Sequence, residues 1–316
     1  KNDASFREFF RLHKGKKTSI IVTAKKEKFK NIITYSIINK FLRKYGIYSP
    51  KVISQNNKEG ILEIEDFGNK TLLNYVKNSK NILPLYKKCI NVILKLQKIK
   101  PINKINFDSK NKINLDIYNL NNLHKESNLF LDWYLPEVLS KKKIKKVKKK
   151  IRKELNSLYL KIYFKSKFLV HRDFHVSNIM PVKKKLGIID SQDIILGNPM
   201  YDVASLIDDV RFKVPLKTKN KILNYYISKC KIDKKYKLML LNDFDILSIQ
   251  RNLKILGIFC RLNRRDGKQQ YLKYLPYTWK LIEFRMKNKI FKNLSSILSK
   301  IINKNIRKKT YLNENK

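Results

Sequence analysis

The most informative stretch of the sequence is His171-Arg172-Asp173-Phe174-His175-Val176-Ser177-Asn178. It follows a short apolar segment, Phe168 to Val170, that is typical of a β-strand. Asp173 and Asn178 are five residues apart, and a later apolar strand ends at Asp190, twelve residues after Asn178. Alone, an aspartate or asparagine in a loop usually caps or turns the backbone. The combined pattern, H-R-D-x-x-x-x-N followed by a strand that ends in Asp, is far more specific and indicates a catalytic loop.

These side chains are the groups that phosphoryl transfer requires. One carboxylate takes or orients the proton of an attacking hydroxyl, while a second carboxylate and an amide oxygen hold Mg²⁺ against the nucleotide phosphates. Oxygen ligands suit Mg²⁺, and a few suffice because phosphates and waters complete its octahedron. Asp173, Asn178 and Asp190 therefore predict a phosphotransfer site.

The flanking pattern predicts an α+β protein that is strand-rich at first and helical later. Apolar spacing before residue 65 predicts three strands and one helix, which are Ser19–Thr23, Lys51–Ser54, Ile61–Ile64 and the helix Phe29–Tyr45. Later we predict helices over Leu83–Ile99 and Leu129–Leu139, a hairpin of Ile179–Val182 with Leu186–Ile189, and helices after Pro199. The lysine run from Lys141 to Lys150 carries a helical apolar stripe and is read as a solvated helix face.

The charge of the chain is large but evenly spread. The 316 residues include 72 Lys and Arg against 25 Asp and Glu, a formal net charge of +47. Only 12 of the basic residues are Arg, and Lys, Ile, Asn and Tyr are all abundant, which we attribute to A/T-rich codons. A nucleic-acid binder concentrates its charge on one face or element, so we expect no nucleic-acid partner.

Cysteine usage and hydropathy exclude further classes. Cys89, Cys230 and Cys260 lie far apart without C-x-x-C spacing, which argues against a disulfide framework or a zinc site and favours a reducing, cytoplasmic compartment. The sequence contains no run of about 18 apolar residues, so we expect no membrane span. We expect a monomer, although nothing in the sequence fixes the oligomeric state, and the first residue, Lys1, leaves open whether others precede it.

The catalytic loop and Ile188-Ile189-Asp190-Ser191-Gln192-Asp193 together resemble the aminoglycoside phosphotransferase family, which has a bilobal protein-kinase-like fold. Gly197 to Leu206 is similar to that family's G-x-P-x-x-D-x-A segment. The resemblance implies that Asp173 is the catalytic base, that Asn178 and Asp190 bind Mg²⁺, and that Asp202 starts a helix and tethers the loop. The chain departs from protein kinases in having no D-F-G, since Ser191 follows Asp190.

Further segments resemble the bacterial anomeric kinases that phosphorylate N-acetylmuramate and N-acetylglucosamine at C1. They are Asp3–Arg11, Glu65–Gly68, Gln250–Leu262 and Arg264–Lys268, and the similarity runs from residue 3 to about 280. The D-A-S-F-R and R-D-G-K segments are the specific ones, while the wider family shares the rest. The resemblance implies an enzyme of cell-wall sugar recycling.

It also implies a nucleotide-binding N-lobe, 1–68, and a catalytic and substrate-binding C-lobe, 69–316, with ATP between them. The residues expected at the nucleotide are Ser5, Phe6, Arg7, Lys25, Glu65 and Phe67. The loop expected over the phosphates contains no glycine, so an ordinary strand and turn is the alternative. The strand position expected for a phosphate-pairing lysine is Thr23; Lys25, Lys26 or neither of them takes that role, and the choice stays open.

The residues expected on the substrate side are His175, Asp193, Arg261 and Trp133. Two of them have alternatives: Asp193 as a turn residue or second metal ligand, and Trp133 as a core aromatic. Seven of the 12 arginines lie in the resembling segments, namely Arg7, Arg11, Arg172, Arg251, Arg261, Arg264 and Arg265. Such clustering indicates sites that need a planar guanidinium, whose two N–H arms bind a phosphate or carboxylate together. For Arg251 and Arg264 we expect buried ion pairs instead.

Two other functions are consistent with the same fold. One is a kinase of another small alcohol, such as an aminoglycoside or choline; the scarcity of acidic residues argues against a cationic acceptor. The other is a kinase-like module that binds a ligand without catalysis, and the intact Asp173, Asn178 and Asp190 argue against it.

Overall fold

The computed structural model describes residues 7–25, 29–102, 104–106, 112–230 and 232–310. The strands in these ranges are β1 (Glu8–Lys14), β2 (Lys17–Thr23), β3 (Val52–Asn56), β4 (Ile61–Glu65), β5 (Lys104–Asn106), β6 (Lys112–Asn114), β7 (Phe168–Val170), β8 (Ile179–Val182), β9 (Lys185–Ile188) and β10 (Ile195–Gly197). The α-helices are α1 (Phe29–Lys44), α2 (Leu72–Lys77), α3 (Leu83–Gln97), α4 (Leu120–Leu129), α5 (Leu135–Val138), α6 (Lys141–Tyr159), α7 (Met200–Ile207), α8 (Leu216–Cys230), α9 (Lys234–Asp266), α10 (Leu275–Arg285), α11 (Lys292–Ile301) and α12 (Lys304–Arg307). No described helix is both long enough and apolar enough to cross a bilayer.

An antiparallel sheet in the order β1-β2-β4-β3 forms the beginning of the chain. Side chains of a strand point alternately to the two faces of the sheet. On the core face, Val22 of β2 lies opposite Leu62 of β4, and both are fully buried. Ile64 joins them, and together they pack against Ile32 and Tyr35 of α1. The predicted strands at Ser19–Thr23 and Ile61–Ile64 are thus confirmed, whereas β1 was not singled out by the sequence pattern.

The helix predicted from Phe29 to Tyr45 is confirmed to within a residue. Gly46 ends it with φ of 69°, a left-handed conformation that glycine adopts without steric cost. The Gly46 N–H donates to the carbonyl of Arg43 (2.8 Å), and Ile47 N–H donates to that of Leu42 (2.9 Å). These bonds satisfy carbonyls at the helix end and turn the chain toward β3.

The predicted hairpin is confirmed as β8 and β9, joined by Lys183 and Lys184. Ile179 pairs with Ile188, and Val182 pairs with Lys185 across the two-residue turn. Lys183 has φ of 53°, as tight hairpin turns require. Next along the chain, β10 pairs antiparallel with β7, the strand that leads into the catalytic loop.

The helix predicted to begin at Leu129 in fact begins at Leu120, so that prediction was wrong at its start. Asn119 caps it by accepting the N–H of Asn122 (3.1 Å), a polar signal that the apolar spacing did not reveal. The helix passes through a π-helical turn, Phe130–Tyr134, before α5. A Cβ added to Gly257 of α9 would lie 2.2 Å from the Leu129 carbonyl, so α9 needs glycine where it meets this turn.

The chain divides into two compact units. Unit 1 comprises residues 1–117, 167–202 and 216–225, and unit 2 comprises 118–166, 203–215 and 226–316. In unit 2, α6 buries Ile151, Leu155 and Leu158 and keeps most lysines of its first half exposed, in agreement with the predicted solvated face. Unit 1 includes residues on both sides of residue 68, where the lobe boundary was predicted. That boundary stays a prediction.

Candidate active site

A buried carboxylate sets the shape of the predicted catalytic loop in unit 1. Asp202, in the first turn of α7, is only 1% exposed. Its Oδ2 accepts the backbone N–H of His171 (2.7 Å), and its Oδ1 accepts that of Arg172 (3.0 Å). Arg172 takes a left-handed conformation, with φ of 73°. The predicted tether is therefore present, and it holds the backbone just before Asp173.

The loop then folds on itself between Asp173 and Asn178. The Asp173 carbonyl accepts both the His175 N–H (3.0 Å) and the Asn178 side-chain amide Nδ2 (3.1 Å). The Asn178 N–H donates to the carbonyl of His175 (2.9 Å). These short-range bonds need only the five-residue spacing, which explains why the sequence pattern located the loop.

The hairpin brings Asn178 and Asp190 to the same end of one ladder. Ile189 N–H donates to the Asn178 carbonyl (3.1 Å), which extends the pairing of Ile179 with Ile188 by one step. Asp190 follows immediately, in a left-handed conformation with φ of 64°. The three residues predicted for catalysis and metal binding thus belong to one loop and the adjoining hairpin end.

The donor atoms at this place fit Mg²⁺. Asn178 uses its Nδ2 within the loop, and its Oδ1 accepts no hydrogen bond from the described residues. The Asp190 side chain is 39% exposed. Within the described ranges no three His, Cys, Asp or Glu side chains group to hold a metal. One carboxylate and one amide oxygen instead match an ion whose remaining ligands are phosphates and waters.

Arg7, expected at the nucleotide, contacts the carboxylate of Asp190. It is 4% exposed, and its Nη2 forms an ion pair with Oδ1 of Asp190. Its Nη1 donates to Oε1 of Gln192 (2.8 Å), and the guanidinium carbon lies 5.1 Å from the centre of the Tyr35 ring. Sequence reasoning missed this contact because 183 residues separate the two partners. Ser5 and Phe6 lie outside the described residues.

Helix α1 supports the turn that follows Asp190. Oδ1 of Asn39 accepts the hydroxyl of buried Ser191 (2.9 Å). Tyr35, one turn earlier, is 2% exposed, and burial raises the pKa of its hydroxyl although Arg7 opposes the shift. The turn that follows Asp190 is therefore held by a polar group of a helix distant in sequence.

Glu65, expected near adenine, has its carboxylate fully engaged within unit 1. It accepts the Tyr48 hydroxyl (2.8 Å), Nη1 of Arg43 (3.0 Å) and the backbone N–H of Lys51 (3.1 Å). Burial and this contact with Glu65 raise the pKa of Tyr48. With both carboxylate oxygens occupied, the Glu65 side chain holds the segment around the end of β4 in place.

Phe67 is held against the same tyrosine. Its ring stacks on Tyr48 with centroids 4.9 Å apart, and it covers Gly187 of β9. A Cβ on Gly187 would lie 2.5 Å from Cε2 of Phe67, so only glycine fits beneath the ring. Tyr48 and Gly187 were not predicted; a glycine inside a strand was the one available signal.

Lys25 is exposed just past the end of β2, where it makes no hydrogen bond or ion pair with a described residue. Thr23 holds the strand position and pairs with Glu8 across the sheet. Helix α1 contains no acidic residue in its first turn or elsewhere in its sequence. A lysine–glutamate pair like that of protein kinases cannot therefore form with this helix.

The substrate-side residues are divided between the units. In unit 1, His175 is 5% exposed, and its Nε2 lies 3.5 Å from Nδ2 of Asn178. Asp193 is exposed and accepts a hydrogen bond from Nε2 of Gln192 (2.8 Å). In unit 2, Trp133 is half-buried in the π-helical turn. Half-buried Arg261 lies on α9, where burial and the neighbouring Arg265 lower its pKa.

The two arginines expected in buried ion pairs differ from that expectation. Arg264 pairs with Glu137 (3.3 Å), but its side chain is 65% exposed, so this is a surface contact. Arg251 is 4% exposed and forms neither a hydrogen bond nor an ion pair with any described residue. The nearby carboxylate of Glu126 pairs instead with Lys254 (2.9 Å).

Comparisons with known proteins show the family of this chain. Residues 1–228 match the family model described as the phosphotransferase enzyme family, APH, and the chain belongs to that family. A Pseudomonas aeruginosa protein named N-acetylmuramate/N-acetylglucosamine kinase is 27% identical over 286 residues, covering 89% of this chain and 81% of that protein. A Neisseria meningitidis protein of the same name is 25% identical, covering 87% of this chain and 80% of its own length.

Solved structures show the same fold. ADP-bound aminoglycoside phosphotransferase APH(2'')-Ib has a TM-score of 0.57 at 16% identity, covering 87% of this chain and 92% of its own. A choline/ethanolamine kinase family protein from Mesorhizobium loti has a TM-score of 0.60 at 13% identity, covering 92% of both chains. The predicted α+β fold of the kinase-like class is confirmed.

Proposed function

We propose that this chain is an ATP- and Mg²⁺-dependent kinase that phosphorylates the anomeric hydroxyl of an amino sugar, N-acetylmuramate or N-acetylglucosamine. The observation that carries the proposal is the joining of Asp173, Asn178 and Asp190 by one loop and one hairpin end. The acceptor class comes from relatives in Pseudomonas and Neisseria, which carry that kinase name. The proposed setting is cell-wall sugar recycling in the cytoplasm, with the enzyme as a monomer that binds neither nucleic acid nor membrane.

Asp173 is the proposed base. Its carboxylate takes the proton of the C1 hydroxyl as that oxygen attacks the γ-phosphorus, so that an O–P bond to the sugar forms while the bond to ADP breaks. Mg²⁺, when bound by Asn178 and Asp190, neutralises charge on the phosphates. The hydrogen bonds that the Asp173 carbonyl accepts hold its backbone still, and positioning supplies much of the rate.

The nucleotide is proposed to lie along the sheet side of the site. The backbone after Glu65 is proposed to bind adenine beside Phe67. Ser5 and Phe6 are the proposed phosphate contacts, and Arg7 acts on the nucleotide through its ion pair with Asp190. Lys25, exposed at the end of β2, is the proposed lysine for the phosphates. On the acceptor side, His175 and Asp193 are the proposed contacts of the sugar. For Trp133 and Arg261 we keep, as proposals, the roles of a stacking aromatic and of a cation for a polar or anionic substituent.

The decisive experiment is phosphorus NMR of the product formed from ATP, Mg²⁺ and N-acetylmuramate, because an anomeric phosphate has a characteristic signal. Asp173→Asn should lower turnover at least roughly a hundredfold while ADP still binds, since a general base contributes on that scale. A parallel panel of N-acetylglucosamine, choline and kanamycin tests the acceptor class. Normal turnover by Asp173→Asn, or transfer only to choline or kanamycin, would refute the proposal.

A further inference from the structure

The buried Arg7 stands out because its charge is directed at the proposed metal site. Asp190 presents two carboxylate oxygens, and Arg7 engages Oδ1 through Nη2. The other arm of the fork, Nη1, donates to Gln192 (2.8 Å), whose own amide donates to Asp193 (2.8 Å). One side chain, directly before β1, thus contacts both the proposed metal-site carboxylate and the turn that follows it.

Aromatic rings fix the plane of this guanidinium. Its carbon lies 5.1 Å from the Tyr35 centroid and 5.6 Å from that of Phe9. A planar cation stacked in this way keeps its two donor arms in one orientation, which the single ammonium of lysine cannot reproduce. Retention of arginine here, in a chain with 72 basic residues of which only 12 are Arg, agrees with a need for the fork.

Among the residues that the structure describes, the end of β2 lacks the lysine–glutamate pair that positions the phosphates in protein kinases. Thr23 stands at the strand position of the usual lysine, Lys25 is exposed, and α1 has no acidic partner for either lysine near that strand end. We infer that Arg7 is a positioning residue that holds the Asp190 carboxylate, through its fork to Asp190 and Gln192, so that Oδ2 meets the Mg²⁺ of the bound nucleotide. This inference rests on the proposed function.

The test is calorimetric binding of ADP to the full chain, with Mg²⁺ and with EDTA. The measured quantity is the metal-dependent gain, the ratio of the two dissociation constants. Arg7→Gln should reduce this gain about tenfold or more, the scale on which groups behind a metal ligand act, while the affinity in EDTA changes far less. Arg7→Lys should restore the gain only in part, because it keeps the charge and loses the fork.

Arg307→Gln is the matched control. Arg307 is similarly buried (7%), pairs with Glu283 (2.7 Å) and stacks on Trp279 at 4.9 Å, but it belongs to unit 2. It should lose stability and keep the metal-dependent gain. Should Arg7→Gln fail to fold, Gln192→Ala removes one arm of the contact and should show a smaller loss in the same direction.

Several outcomes would overturn the inference: an equal loss of affinity with Mg²⁺ and with EDTA, full restoration by Arg7→Lys, or an unchanged gain in Arg7→Gln or Gln192→Ala. Asp190→Asn separates this failure from that of the proposed function. If Asp190→Asn abolishes the gain and the Arg7 variants keep it, only the role of Arg7 is wrong. If the wild-type chain itself shows no metal-dependent gain, the proposed function is wrong.

Discussion

Replacing Asp202 with asparagine tests whether the buried tether determines the active-site loop. The carboxylate accepts the N–H groups of His171 and Arg172, at 2.7 and 3.0 Å, and is 1% exposed. An asparagine keeps one acceptor oxygen and turns an amide N–H toward the other donor. Losing one hydrogen bond to a buried charge and leaving a buried donor unpaired costs about 3 kcal/mol.

Two measurements apply to Asp202→Asn. Urea unfolding followed by circular dichroism should show the loss in free energy of unfolding. The initial rate of sugar phosphorylation should fall about a hundredfold, because displacing a catalytic group by roughly 1 Å has that effect. Asp132→Asn is the control: Asp132 forms a surface pair with Lys148 (2.7 Å) and is 52% exposed, so its loss should cost at most about 1 kcal/mol. A free energy of unfolding within about 0.5 kcal/mol of wild type for Asp202→Asn, together with normal turnover, would refute the reasoning.

Two further predictions concern the sheet and the hairpin of unit 1. Gly187→Ala should destabilise the protein by about 1–3 kcal/mol and weaken ADP binding, because its Cβ would lie 2.5 Å from the Phe67 ring and displace it; thermal melting and calorimetry measure the two effects. Hydrogen bonds from Ser19 and Ser54 lower the pKa of Glu63. The ionised carboxylate therefore stabilises the fold above its ordinary pKa, and this stabilisation is lost as the pH falls through the lowered pKa. Because Glu63→Gln removes this ionisation, it should reduce the fall in melting temperature between neutral and acidic pH.

Each of these predictions has its own control. Adding Phe67→Leu to Gly187→Ala should recover part of the lost stability by relieving the contact, and no recovery would show that the clash is not the cause. Glu59→Gln, on the exposed turn between β3 and β4, should leave the pH dependence unchanged. An unaltered pH profile for Glu63→Gln would contradict the role assigned to its serine contacts.

The elements with a local cause were predictable. The helix ending at Gly46, the hairpin of β8 and β9 and the loop from Asp173 to Asn178 are each specified by residues within a few positions of one another. Periodicity and turn chemistry act over that distance. The start of α4 was missed because its signal is the Asn119 cap, not an apolar repeat.

Local pattern, read from residues alone, predicted a phosphotransfer loop and an α+β fold. Tertiary packing alone decided that Arg7 reaches Asp190, that Phe67 covers Gly187, and that the π-helical turn lies against Gly257. Those contacts join segments far apart in the chain, and their partners are chosen by shape and charge in the folded state. No spacing along the sequence records such choices, so they become visible only once the segments are packed together.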